Sequence, residues 1–141
     1  MIQELMIINE AGIALFYHNF IDEDHIGDEQ TLASYFDIIC KFTKQSFKES
    51  IRTIILDSFI FFFYTHNSRF HLVLKCDNRN FDKKLLESVS EMIIEKFLNQ
   101  HKEILEDFNG DISYFRPFSK NLETIIKSKF KDFMKIPTIE Q

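Results

Sequence analysis

Five histidines, two cysteines and one run of acids are the residues of this chain that could do chemistry. A zinc or nucleophilic centre needs such groups to converge at short, defined spacings. His18, His25, His66, His71 and His101 contain no i, i+4 pair and no short-loop metal pair of their own. His66 and His71 flank the Asn67-Ser68 turn. Proximity across a turn is what any hairpin gives its residues, so it does not imply zinc. His101 lies on an apolar helical stripe and reads as a hydrogen-bonded, partly buried side chain rather than a base. Cys40 falls in mid-helix and Cys76 at the end of a strand, neither at the sharp elbow or helix N-terminus that activates a thiol. Both read as small buried hydrophobes in a reducing compartment rather than as a disulfide.

The acids Asp22, Glu23, Asp24, Asp28 and Glu29 surround Gly27 and resemble a calcium loop at first sight. Counting from Asp22, the fifth position is Ile26 and the twelfth Ala33, where calcium requires oxygen ligands and a bidentate Glu. The calcium reading fails. Asp28 and Glu29 instead suit the start of a helix, as a cap and a complement to its dipole. Gly12, Gly27 and Gly110 are isolated, so no phosphate-binding or dinucleotide fingerprint is present. The expectation is a protein without enzymatic activity, metal or cofactor, a small hydrolase being the weakest alternative. One segment has unusual charge: from Ser119 to Lys135, five lysines face only Glu123 and Asp132, a local balance of +3. It reads either as a solvated helix face with cations near its C-terminus, or as a surface that meets anionic lipid through Lys127, Lys131 and Lys135.

These residues sit in a chain of 141 residues, 45% hydrophobic, with 17 Phe but only 3 Gly and 2 Pro. That composition describes one folded domain able to bury its own core without disulfide or metal. The net charge of −5 argues against a dedicated nucleic-acid binder. No apolar run is long enough to span a bilayer, and the expected location is cytoplasmic.

The organising stretch is Ser50–Asp77, read as three strands, Ser50–Leu56, Phe59–His66 and Arg69–Cys76. The two-residue connections Asp57-Ser58 and Asn67-Ser68 leave no room for a crossover, so these strands form an antiparallel meander. The middle strand is apolar on both faces and needs cover on both. Upstream, Ile2–Asn9 and Ile13–His18 form a hairpin around Gly12, followed by a helix over Glu29–Phe47 with Leu32, Phe36, Ile39, Cys40 and Phe42 inward. Downstream, Asn80 caps a helix bearing Leu85, Val89, Met92, Ile93 and Phe97. Its period persists to Phe108 with a kink near Asn99-Gln100, and Asn109-Gly110-Asp111 stops it. Ile112–Phe118 reads as an extended link. A last helix then starts at Ser119 and ends near Lys135, with Leu122, Ile125, Ile126, Phe130 and Phe133 inward and a tail over 136–141.

The order strand, strand, helix, three strands, helix, helix resembles the longin or SNARE-like domain of small adaptin subunits, longin SNAREs, transport-particle subunits and related archaeal proteins. The likeness runs from Ile2 to about Met134. It rests on IQELMIINEAGIALFYHNF as the opening hairpin and on LVLKCDN leading into a long amphipathic helix. It implies an α+β fold, a five-stranded antiparallel sheet in order 2-1-5-4-3 between one helix and two helices, in a single domain over 1–135. It further implies a non-enzymatic module that serves a small GTPase or a membrane-traffic-type complex. The alternative is a roadblock- or profilin-like regulatory scaffold. No SNARE heptad region or membrane anchor follows the last helix, which sets a fusion SNARE aside.

Two features locate the expected partner. Tyr35 and Ile38 widen the apolar arc of the first helix beyond what one sheet face needs, so they either cover flanking loops or are offered to a partner. Strand three is an edge in the implied order and has a single charge and no Pro or Gly to blunt it. The resemblance implies that this helix and this strand pair longin domains. The expected contact is therefore Tyr35, Ile38, Arg52, Thr53 and Ile54, in a dimer with a second copy, a sister longin or roadblock-type domain, or a small GTPase. Ile7, Phe61, Phe63, Leu72 and Leu74 are the expected core.

Overall fold

The computed structural model describes residues 2–21, 28–79 and 81–139, with side chains in the last helix described as far as residue 129. Two compact units divide the chain, Met1–Phe81 and Asp82–Gln141.

The first unit holds β1 (Ile2–Ile8), β2 (Ala14–Asn19), α1 (Glu29–Phe47), β3 (Thr53–Ile55), β4 (Phe59–His66) and β5 (Phe70–Asp77). Every pairing is antiparallel, and the sheet order is β2-β1-β5-β4-β3. The fold is α+β with the sheet order that the longin resemblance implies. Local chemistry builds the hairpins. Asn9 Oδ1 accepts from the backbone N–H of Ala11 and Ile13, both at 3.0 Å, and Gly12 takes φ +80° to close the β1–β2 turn. Asn67 and Ser68 stand at φ 51° and 58°, the paired positive values that match a two-residue hairpin to the twist of its strands.

Register decides which side chains share a face. Ile7 lies opposite Leu72, Leu5 opposite Leu74, and Phe62 opposite Leu74 on the other side of β5. These five residues are buried, Leu5, Ile7, Leu72 and Leu74 completely. On the opposite face, Met6, Ile8, Phe63 and Val73 pack with Ala33, Phe36 and Cys40 of α1. Asp28 starts α1: its carboxylate accepts from Gln30 N at 3.0 Å and Thr31 Oγ1 at 2.8 Å. Lys48, in the left-handed region, ends it with an N–H to Lys44 O.

Three expectations are corrected here. Strand three spans Thr53–Ile55 rather than Ser50–Leu56. Phe61 is half-buried, because it pairs with Ile54 at the sheet edge, whereas its neighbour Phe62 is buried. Phe42 is 60% exposed, and Ala33 and Asp37 take the inward positions beside Phe36 and Cys40. At helical spacing, 33, 36, 37 and 40 form one stripe, and residue 42 lies on the far side.

The second unit comprises α2 (Lys83–Gln100), α3 (Lys102–Glu106), a 3-10 turn (Ile112–Phe115) and α4 (Phe118–Ile139). Asp82 caps α2 by accepting from Leu85 N at 3.1 Å. Asn80, the expected cap, lies outside the described residues. The inward stripe of α2 is Leu86, Val89, Ser90, Ile93, Ile94 and Phe97, with Leu85 and Met92 half-buried beside it. The break comes at His101, whose Nδ1–H donates to Phe97 O at 2.7 Å. Its ring lies among Phe97 at 4.5 Å, Phe115 at 5.0 Å and Phe118 at 5.9 Å, centroid to centroid. Ile112–Phe118 is thus not extended: Asp111 caps a 3-10 turn through Ser113 N, and Pro117 leads into α4 with its carbonyl accepting from Lys120 N. A fixed φ suits proline to a helix start. α4 also runs past Lys135 to Ile139.

Candidate functional site

On the outward face of α1, Tyr35, Ile38 and Phe42 follow one another at i, i+3 and i+7 and are 57%, 64% and 60% exposed. Phe47, 66% exposed, meets Phe42 edge to face at 6.5 Å. A helix with one apolar stripe against the sheet and a second on its far side is covered on only one of them. Sequence reasoning found Tyr35 and Ile38 but missed Phe42 and Phe47. The angular separation of residues 36 and 42 on a helical wheel was the available signal.

β3 forms one edge of the sheet and β2 the other. Phe63 N donates to Arg52 O at 2.9 Å and Leu56 N to Phe59 O at 2.8 Å, so residues 52, 54 and 56 aim their backbone groups at β4. By the alternation of an antiparallel ladder, the N–H and C=O of Thr53 and Ile55 point away from it. Of the expected contact residues, Arg52 is exposed, Thr53 is half-buried, and Ile54 is half-buried against the core that α1 covers. Ile54 therefore brings the edge strand and α1 together through the interior. Thr53 and Ile55 point to the opposite sheet face, and Ile55 is 71% exposed. Leu56 beside it is also exposed.

A second feature of this unit is a pocket of about 150 Å³ lined by α1, the β1–β2 and β4–β5 turns and the segment after α1, with Asp37, Lys41, Lys44, Ile51, Ser68 and His71 among its walls. Lys41 Nζ bridges Asp37 Oδ2 and the carbonyl of Glu10, each at 2.8 Å. Thr65 Oγ1 lies 2.9 Å from His71 Nδ1. Burial holds the His71 imidazole below its usual range, against the pull of Asp37.

The thiols of Cys40 and Cys76 are pushed up to about 11 by burial, which makes both poor nucleophiles at neutral pH. No cluster of three His, Cys, Asp or Glu able to hold a metal ion occurs among the described residues. On α4, Lys127 and Lys129 are exposed. The side chains of Lys131 and Lys135 lie outside the described residues, as do Asp22, Glu23, Asp24 and His25. Among the described residues no helix is long and apolar enough to cross a membrane.

The sequence matches no protein-family profile. Nor does it match any curated protein. Among solved structures, the architecture is shared along nearly the whole chain in one case. The mammalian SRP receptor superposes with a TM-score of 0.57 over 94% of this chain and 97% of that chain at 9% identity. The gliding protein MglB of Thermus thermophilus aligns at 15% identity and TM-score 0.48, over 54% of this chain and 61% of that one. MglB of Myxococcus xanthus aligns at 15% identity and TM-score 0.45, over 55% and 66%. The chain thus spans less than two thirds of either MglB. At 9% identity the likeness to the SRP receptor is one of fold, and the fold is of the longin type.

Proposed function

We propose that this longin-type fold serves as a non-enzymatic interaction module, a platform for a small GTPase or a subunit of a membrane-traffic-type complex. It engages its partner through the outward face of α1 and the edge strand β3. The observation that carries the reading is the second apolar stripe of α1, Tyr35, Ile38 and Phe42, each more than half exposed on a helix already buried along its other side. Apolar surface of this kind gains free energy when a partner removes it from water. The outward backbone groups of Thr53 and Ile55 add the hydrogen bonds that a further strand can complete. The partner is a second copy, a sister longin or roadblock-type domain, or a GTPase. Exposed lysines of α4, Lys127 among them, supply the weaker attraction to anionic lipid.

Affinity capture from a native lysate tests the reading, with the wild-type chain and an Ile38→Asp, Thr53→Asp double variant as baits. The expected result is a small GTPase or a longin-type subunit, identified by mass spectrometry, on the wild type and lost from the variant. Turnover in a broad hydrolase screen, with no such protein captured, overturns it.

A further inference from the structure

Asn109 is the only asparagine of this chain that precedes a glycine. Asn109, Gly110 and Asp111 are exposed, and they link α3 to the 3-10 turn outside any helix or strand. In such a pair the backbone nitrogen of the glycine can reach the asparagine Cγ by rotation about the bonds between them. A side chain on the second residue hinders that approach, and glycine has none. Gly110, at φ +95°, also stands in open space: a Cβ there would meet nothing within 4 Å. The loop is not wedged against closure of the ring.

The carboxamide is held in a way that favours attack. Asp111 N donates to Asn109 Oδ1 at 2.9 Å. That oxygen takes up negative charge when a nucleophile adds to Cγ, so a backbone donor is already in place for it. Asp111 is fixed in its turn, its carboxylate accepting from Ser113 N at 3.0 Å and from Ser113 Oγ at 2.6 Å. These bonds start the 3-10 turn that carries Phe115, which is fully buried, with its ring centroid 5.2 Å from that of Phe97 and 5.8 Å from that of Phe108.

We propose that Asn109-Gly110 is a self-modifying site, where the chain converts its own asparagine to isoaspartate and thereby loosens the 3-10 turn. Hydroxide removes the Gly110 amide proton, and the nitrogen bonds to Asn109 Cγ. The bond from Cγ to the side-chain nitrogen breaks, and that nitrogen leaves as ammonia with a proton from water, giving a succinimide. Water then opens the ring. Addition at the main-chain carbonyl leaves Gly110 joined through Cγ, as isoaspartate, and addition at Cγ gives aspartate. In isoaspartate Oδ1 becomes the carbonyl oxygen of the Gly110 peptide bond, too near along the chain to hold Asp111 N in the same turn. Aspartate keeps the acceptor where it was. The site belongs to the second unit and is independent of the proposed docking surface.

The test is incubation of the full chain at neutral and at mildly alkaline pH, followed by peptide mapping with mass spectrometry. Methyl transfer by a protein isoaspartyl methyltransferase is the probe for isoaspartate. The mass gain of an amide-to-acid exchange is expected at Asn109 well ahead of every other asparagine, with methyl acceptance rising in step. Because the nucleophile is a deprotonated amide, the rate should rise about tenfold per pH unit. Asn109→Gln, an exposed substitution that cannot close the same ring, should lose both signals. Hydrogen exchange over Ile112–Phe115 should quicken at least about threefold in the isoaspartate form and stay unchanged in Asn109→Asp, which carries the charge without the lengthened chain. Three results each overturn the proposal: no mass gain at Asn109, conversion there no faster than at other asparagines, or exchange over Ile112–Phe115 unaltered by isoaspartate.

Discussion

Phe36 and Ile38 are two residues apart on α1 and face opposite ways, so replacing each in turn separates what holds the helix from what the helix offers. Phe36 is 3% exposed, with its ring centroid 5.2 Å from that of Phe61 and 5.3 Å from that of Phe63, the latter edge to face. Phe36→Ala removes the whole ring from this packing. The transfer part is roughly 2–3 kcal/mol. With the cavity left between helix and sheet, the loss comes to about 3–5 kcal/mol. A domain of this size has only about 5–15 kcal/mol in total, so the variant should be folded but close to its limit. Ile38 is 64% exposed, and Ile38→Asp should cost no more than about 0.5 kcal/mol. Urea unfolding followed by circular dichroism reads both as midpoint shifts at an unchanged slope. If Phe36→Ala costs less than about 1 kcal/mol, or Ile38→Asp costs as much as Phe36→Ala, the assignment of inner and outer faces of α1 is wrong.

Other consequences follow from the same geometry. Burial holds His71 and His101 below the ordinary histidine value, so near that value the unfolded chain binds more protons than the folded one. Their contribution is complete above about pH 6.5 and is lost as pH falls through the folded values. The urea midpoint should therefore drop between pH 7.5 and pH 5, with a shallower drop in His101→Gln, and a midpoint that rises on acidification contradicts this. Cys40 and Cys76, with thiols near 11, should react with an alkylating reagent far more slowly in the native protein than in denaturant at pH 8, and rapid native labelling refutes their burial. Gly12→Ala and Gly110→Ala both impose a left-handed backbone, at φ +80° and +95°, but only the first brings a Cβ against Asp37. Each should cost about 1–2 kcal/mol for the backbone, with the larger thermal shift at Gly12; equal shifts would remove Asp37 from contact with that turn.

Much of the fold was legible in the sequence because its signals are local. The bounds of α1 and β4 follow from an Asp cap, a helical apolar period and two-residue turns, none of which depends on distant residues. The sheet order came through the resemblance, since pairing β1 with β5 joins segments some seventy residues apart that no local pattern connects. Strand three was overestimated because β-branched residues such as Ile51 can equally pack from a loop, and here Ile51 does so against the α1 core. Phe42 was misplaced because a phenylalanine in an apolar helix looks inward until the stripe is set by angle. The pocket was invisible for a different reason. Asp37 and Lys41, four residues apart on α1, have the spacing of an ordinary surface ion pair. Only the sheet register, which brings His71 opposite Thr65, and the β1–β2 turn, which supplies the Glu10 carbonyl, enclose them.

Hydrogen exchange read by mass spectrometry over Ser50–Leu56 tests the docking account most directly. It is run on the wild-type chain at low and high concentration, with light scattering on the same samples, and again with any GTPase or longin-type protein captured. A dimer or complex is expected in which exchange slows at Thr53 and Ile55, whose N–H groups point away from β4, with the slowing abolished by Ile38→Asp and Thr53→Asp together. A monomer at every concentration, or a complex that leaves Ser50–Leu56 exchanging as in the free chain, contradicts it.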